Sequence, residues 1–391
     1  MYLLAWIFFI VAIAWAFERF YLRGPGVKAY PIPDDPDAVQ RFTQTGGPGP
    51  EHLQVTKLVR ELTLRISVGR RHHNLKAARE AFDTISDGRE FQSEFFPVDA
   101  GGIPAEWVIA PGTDNTRRVL YIHGGGFVVG TPKSHRTITS KFSEITGCAV
   151  LAIDYRLMPE HHHRDCVEDC RTAYRWILGN GPDGPGEIRQ LFVGGDSAGG
   201  NLALSLIAWI RDKQLRAPEA AVALSPLTDV TFSGASIRDN AGTDVMLKPF
   251  MSILNKLPRF IKSWWVLWTY KIRPSCPVVS PLLGDLSNLP PTLVQVSEAE
   301  MLLDDARRYV YKACASGSPA KLQTWADMVH IWQIFDPQLP QAVEAWAEID
   351  KFLEGHANTS FRKYWFGKCP ILTDPRAAPW LPSSRRCQIP R

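Results

Sequence analysis

The hydrophobic rhythm of this chain changes several times from one end to the other. Residues 1–17 (MYLLAWIFFIVAIAWAF) carry no charge, and apolar character continues past Glu18 and Arg19 to Leu22. A run of about 20 such residues suffices to cross a bilayer, so residues 1–23 predict an anchor helix. Residues 24–50 lose the pattern to Pro and Gly (GPGV, PIPDDPD, GGPGP) and predict a linker. In residues 51–90, LVRELTLRI and LKAAREAF space their apolar positions as helices do. Then the period shortens. FQSEFFPV and PAEWVIA flank Asp99-Ala100-Gly101-Gly102, which predicts a hairpin.

Six short apolar runs follow: RVLYIHGGG, CAVLAIDYR, QLFVGGDSAGG, AAVALSP, PTLVQVSEAE and AKLQTWADMVH, each followed by a helix-like segment. That alternation predicts an α/β fold over residues 91–357, with a mostly parallel central sheet and helices on both faces. Residues of about 230–275 (TFSGASIRDNAGTDVML…FIKSWWVLW) break the alternation. They predict an inserted cap that joins the N-terminal cap helices of residues 51–90. There is no internal repeat.

Composition narrows the partners. With 45% hydrophobic and 21% charged residues, the chain is of globular type. The net charge of +4 is uneven. Residues 358–391 hold seven basic residues against Asp374, which leaves the rest with 37 basic against 39 acidic. A near-neutral body gives no sign of a nucleic-acid partner, and none is expected. The basic tail suits either anionic lipid or plain solvent. Seven scattered cysteines without a CxxC pair do not form a full disulfide framework.

The apolar N-terminus has a rival reading as a signal peptide, with Ala14-Trp15-Ala16 as its cleavage site. That reading asks for Lys or Arg ahead of the apolar core, and none precedes it. Arg19, Arg23 and Lys28 follow instead. The expectation is a single-pass membrane anchor with the body on the cytoplasmic side. Asn358-Thr359-Ser360 is a glycosylation sequon, relevant only to a lumenal body.

The chemistry gathers around LFVGGDSAGGN, where a strand pattern meets a helix pattern. Gly195-Asp196-Ser197-Ala198-Gly199 fits G-x-S-x-G. At a tight strand-to-helix turn, flanking glycines relieve crowding and the serine oxygen stands above the sheet. The following helix offers positive dipole density and a free amide to a developing oxyanion. Upstream, His123-Gly124-Gly125-Gly126 directly follows an apolar strand. Gly124 and Gly125 are the expected oxyanion donors, with the amide of Ala198 as the third. His123 is expected to hold the loop. A phosphate loop is disfavoured, because Thr131-Pro132 rather than Lys-Ser/Thr directly follows Gly130 and these glycines are not spaced G-x-G-x-x-G.

The HGGG loop and the GDSAGG elbow resemble the hormone-sensitive-lipase-like family of α/β-hydrolases. So do DYRLMPEH (residues 154–161), SPLTDVTFSG (225–234), SPLLGDLSNLPPTLVQVSEAEMLLDD (280–305) and MVHIWQIF (328–335), in family order. The resemblance covers roughly residues 90–355. It implies an α/β-hydrolase fold with a helical cap and cleavage of carboxylic esters without metal or cofactor. It also implies the chain order serine, acid, histidine.

A serine needs a base, and His330 in DMVHIWQIF matches the family's histidine. The acid must orient that imidazole. Glu298, Glu300, Asp304 and Asp305 all follow PTLVQV. The family's D/E-x-L-x-D-D/E pattern points to Glu300. Glutamate-methionine stands where Asp-Pro is usual. Asp304 is the alternative acid and Glu298 a third choice.

Other conspicuous groups read as structural. Asp154, Arg156 and Glu160 are expected to brace the sheet top as an ion-pair set. His161, His162 and His163 with Cys166 and Cys170 have no established zinc spacing. Trp264, Trp265, Trp268 and Tyr270 suit an acyl pocket, membrane contact or cap packing. The expected activity is that of a serine carboxylesterase acting on a small ester or lipid. The alternatives are an amide or acetyl-group hydrolase resembling arylacetamide deacetylases, and a binding protein like the plant hormone receptors that resemble this family. Those receptors have lost the histidine that His330 represents here. Oligomeric state is not set by any of these patterns, and a homodimer stays open.

Overall fold

The computed structural model describes residues 2–24, 26, 29–43, 49–71 and 74–357. The basic tail and its sequon lie outside the described residues. The chain starts with helix α1 (Tyr2–Phe17), which runs into a π-helical turn, Glu18–Leu22. Strand β1 (Val39–Phe42) and helices α2 (Pro50–Arg71) and α3 (Leu75–Asp83) follow. The α/β part then comprises β2 (Glu94–Asp99), β3 (Pro104–Ile109), β4 (Asp114–Ile122), α4 (Arg136–Thr146), β5 (Cys148–Ile153) and α5 (His163–Ile177). A two-stranded ribbon, β6 (Asn180–Gly181) with β7 (Gly184–Pro185), leads to β8 (Gln190–Asp196), α6 (Ser197–Asp212) and β9 (Ala220–Leu224). Three helices interrupt there: α7 (Ser236–Asp239), α8 (Lys248–Lys256) and α9 (Arg259–Tyr270). The chain returns through β10 (Thr292–Ser297), α10 (Leu303–Ala315), β11 (Ala320–Trp325) and α11 (Pro340–Ala357).

Among the described residues, nine strands form one sheet in the order β1-β11-β10-β9-β8-β4-β5-β3-β2. Every pairing is parallel except those of β3 with its neighbours β2 and β5. The central strands show why. All residues of β5, β8, β9 and β10 are buried, as parallel strands covered on both faces must be. Along β4, Leu120 and Ile122 face a core shared with α5 and α6, while Val119 and Tyr121 face one shared with α4 and α11. Each buried Leu or Phe in these layers contributes roughly 1.5–3 kcal/mol. Helix α5 earns its place through a stripe of Cys166, Val167, Cys170, Ala173, Tyr174 and Ile177, spaced three and four apart.

One element corrects the linker expectation for residues 24–50. Strand β1 lies inside that segment and pairs with β11, Val39 opposite Leu322 through Phe42 opposite Trp325. The Phe42 and Trp325 rings stack with centroids 4.2 Å apart. Four residues carry too little periodicity to announce a strand; a sheet edge made by much later residues recruits them. The parallel strands end on one side of the sheet, and the loops after β4, β8, β10 and β11 gather there beneath the cap.

Candidate active site

Strand β8 ends at Asp196, and Ser197 starts α6 with φ +50°. That backbone region costs a non-glycine residue of order 1–3 kcal/mol and persists only when neighbours impose it. The neighbours here are close. A Cβ on Gly199 would stand 2.0 Å from the carbonyl oxygen of Ile122 and 2.5 Å from that of His123. Only glycine lets the first turn of α6 press against the end of β4.

The structure brings Ser197, His330 and Glu300 together from the ends of three strands. His330 follows β11, and its Nε2 lies 2.9 Å from Ser197 Oγ. Its Nδ1 lies 3.3 Å from Glu300 Oε2, just beyond β10. With the proton on Nδ1, Nε2 accepts from the serine hydroxyl. Glu300 and the loop that carries His330 are themselves held. Ser225 Oγ donates to Glu300 Oε2 at 2.8 Å and accepts from the Ile331 amide at 3.3 Å. Asn240 Nδ2 donates to the carbonyls of Glu298 and Glu300, and Ser297 Oγ donates to that of Met328.

Burial pushes the Glu300 carboxyl up, and the imidazole of His330 counteracts it only in part. At His330 the balance falls the other way. Burial disfavours the imidazolium, but the Glu300 carboxylate and then Asp244 outweigh it and raise the pKa above the ordinary value. A buried base whose charged form has a carboxylate behind it is suited to taking a proton from serine.

The alternative acids are occupied elsewhere. Asp304 sits in the first turn of α10 and accepts from the Ser236 amide. Glu298 pairs with Arg41 through two 2.7 Å hydrogen bonds.

Gly124 is a correction. Its amide donates to Asp196 Oδ1 at 2.9 Å, so that N–H is not free for an oxyanion. Among the described residues, nothing accepts from the amides of Gly125, Gly126 or Ala198, and all three residues line the cavity at Ser197. Gly125 has φ +113° and leaves no space for a Cβ, which would meet the Val129 carbonyl at 2.0 Å. The loop is tied down beneath. Tyr121 Oη donates to Asp196 Oδ1 at 2.6 Å, and His135 Nε2 lies 3.4 Å from Oδ2. Burial would raise the Asp196 pKa, but His135 and Tyr121 hold it below the usual range. His123 is buried and its pKa lowered to about 3, chiefly by burial, so it stays neutral. Its Nδ1 donates to the Gly124 carbonyl and its ring stacks on Tyr155. It holds the loop.

The cavity above Ser197 encloses about 480 Å³. Phe82 and Ile66 come from the N-terminal helices, Phe250, Leu254 and Trp265 from the inserted ones. Of the four aromatic residues foreseen in the cap, Trp265 and Tyr270 line this space. Trp264 meets Phe17 with ring centroids 5.6 Å apart, and Trp268 is exposed.

The foreseen brace is built differently. Arg156 clasps Asp169 and Glu160 clasps Arg79 of α3, rather than each other. The half-buried Asp154 carboxyl is pushed up to about 6 by desolvation and nearby Asp83, against the pull of Arg79. His162 caps α5, and His163 is buried against Phe127 and Tyr270. Cys166 and Cys170 are core residues. The sequence does not single out Gly126, Asp196, Ser225 and Asn240. Asp196 and Gly126 stand inside the quoted motifs, whereas nothing marks Asn240 in the sequence.

A serine on a strained strand-to-helix turn, backed by a histidine and then a carboxylate on a mostly parallel sheet, defines a serine hydrolase of α/β-hydrolase fold. Residues 119–334 match the family model described as alpha/beta hydrolase fold, and the chain belongs to that family. An acetyl-hydrolase from Streptomyces hygroscopicus is 34% identical over 293 residues, which are 74% of this chain and 92% of the relative. A variant of the esterase E40 shares the architecture with a TM-score of 0.69 at 35% identity, covering 79% of this chain and all of that one. An esterase of the bacterial hormone-sensitive lipase family has a TM-score of 0.65 at 34% identity, covering 80% of this chain and 99% of that one. The chain is an ester-hydrolysing enzyme of the hormone-sensitive-lipase type.

Proposed function

We propose that the chain is a membrane-anchored serine carboxylesterase that works through an acyl-enzyme on short to medium acyl esters. Ser197 Oγ attacks the ester carbonyl as His330 Nε2 takes its proton. The amides of Gly125, Gly126 and Ala198 receive the oxyanion, and Glu300 steadies the imidazolium. His330 then protonates the leaving alcohol. Water, deprotonated by the same base, releases the acid. The observation that carries this reading is the continuous contact from Ser197 through His330 to Glu300. The apolar cavity suits an acyl chain of several methylenes, since sites of 300–1,000 Å³ hold ligands of that class.

The anchor part rests on α1 and the turn after it, where residues Leu4–Leu22 are long and apolar enough to span a bilayer. Arg19 and Arg23 behind it favour a cytoplasmic body. Hydrolysis of p-nitrophenyl butyrate and labelling of Ser197 by a fluorophosphonate are the expected results for the enzyme. Activity that survives in Ser197→Ala, or a chain that neither hydrolyses nor labels, overturns the reading. The acetyl-hydrolase relative supports a second reading as an acetyl-group hydrolase. It predicts a preference for acetyl over butyryl and hexanoyl esters.

A further inference from the structure

Large apolar side chains are exposed mainly in two places. One is α1 with its turn, and the other is the cap helices α2, α8 and α9. Outside these, the described residues expose only Ile32, Phe96 and Val343 among large apolar chains. On α9, the exposed set is Ile261, Trp265 and Trp268, at positions i, i+4 and i+7, which share one stripe of a helix. Ile253 on α8 is 76% exposed and Trp268 is 72% exposed. Ile253 and Trp265 also line the cavity, so the stripe borders its mouth.

The root of α1 is fastened to this same helix. Glu18 is fully buried and accepts from Arg23 at 3.1 and 3.0 Å and from Ser263 Oγ of α9 at 2.8 Å. The Ser275 amide donates to the Leu22 carbonyl, and Arg273 lies over the Tyr21 ring. A buried carboxylate with those partners fixes where α1 leaves the cap. Charge follows the same boundary. Residues 245–284 contain six basic residues and no acid. Lys248, Lys256, Arg259 and Lys271 are exposed there.

We propose that the α8–α9 face of the cap lies on an anionic bilayer, so that the ester enters the cavity from the lipid side. This inference rests on reading α1 as a membrane anchor. A spanning helix clamped to α9 holds that helix at the membrane surface. There the Ile261–Trp265–Trp268 stripe enters the headgroup boundary, and the lysines and Arg259 meet anionic headgroups. Tryptophan favours this boundary because its ring is amphipathic. An acyl ester dissolved in the bilayer then reaches Ser197 past Ile253 and Trp265 without crossing water.

The test uses the full chain in phosphatidylcholine vesicles containing phosphatidylglycerol. Benzoylphenylalanine is placed at Trp268, at Ile261 or, as a control, at Phe96. Photolysis is expected to join lipid to the first two positions and not to the third. A chain that stays in the vesicles after a carbonate wash but gives equal yields at all three positions overturns the docking alone. A chain that leaves in the wash overturns the anchor and the docking with it. In Trp268→Glu combined with Ile261→Glu, hydrolysis of a decanoyl ester carried in the vesicles should fall about tenfold, while p-nitrophenyl acetate in water changes less than about twofold. Equal loss on both substrates, or none on either, overturns entry from the lipid.

Discussion

At the strand ends, Ser197, His330, Glu300 and the HGGG loop are held by hydrogen bonds from several elements, with Asp196, Ser225 and Asn240 as the supports. The cap meets the same cavity with Phe250, Leu254, Leu257 and Trp265, which rely on packing. Hydrogen-bonded groups have narrow geometric tolerance, whereas apolar contacts adjust with little loss. On the proposed reading, the chemistry is confined to the strand ends and the choice of acyl group falls to the cap. Substitutions below the serine should damage rate, and substitutions above it should redistribute substrates.

The largest effect tests the strand-end side. His330→Ala should lower kcat by about 10⁴-fold or more, because the serine loses its base and, among the described residues, no other side chain bonds to Oγ. A variant that keeps a tenth of the rate on p-nitrophenyl butyrate would refute the role. Glu300→Gln should cost about 10²–10⁴-fold, the range for a lost orienting carboxylate. It also moves a pH limb. Hydrolysis needs neutral His330, whose pKa is raised above about 6.5, so kcat/KM should climb through a midpoint above that value. Removing the Glu300 charge should shift the midpoint down. An unmoved midpoint would mean that Glu300 does not face the imidazole in solution.

A smaller loss is expected from the loop supports. Asp196→Asn weakens the tie to the Gly124 amide and to Tyr121, and kcat should fall about 10–10³-fold with KM little changed. A rise in KM alone would place Asp196 in binding rather than in loop positioning. On the cap side, Trp265→Ala should change the acyl-length profile by less than about tenfold per substrate and shift the preference toward longer chains. An unchanged profile would mean that the cap does not select the acyl group. Smallest of all, Asp304→Asn should leave kcat within about threefold, since its carboxylate serves the Ser236 amide.

Legibility followed how local each cause is. The six apolar runs after the hairpin became strands, because parallel strands buried on both faces read as continuous apolar stretches. Motif order points to Ser197, His330 and Glu300, and the structure brings them into contact, while Asp304 and Glu298 pair elsewhere. The HGGG loop is legible as a candidate donor loop, but not which of its amides is engaged. Three consecutive glycines look alike in sequence; only the carboxylate of Asp196 beneath them singles out Gly124. Strand β1 stayed hidden for a similar reason, since its partner β11 lies at the far end of the chain.

By itself, the sequence determined the alternation of strands and helices, the strand-to-helix turn with its glycines, the apolar length of α1 and the residue types for nucleophile, base and acid. These follow from spacing and side-chain chemistry, which act over a few residues. The tertiary structure decided which glycine amides stay free and which of four acids meets His330. It also decided that Glu18, a charge interrupting an apolar run, is buried against Ser263 and joins α1 to the cap. Each of those choices depends on atoms that meet only when distant strands and helices pack, at distances where a shift of one residue changes the partner.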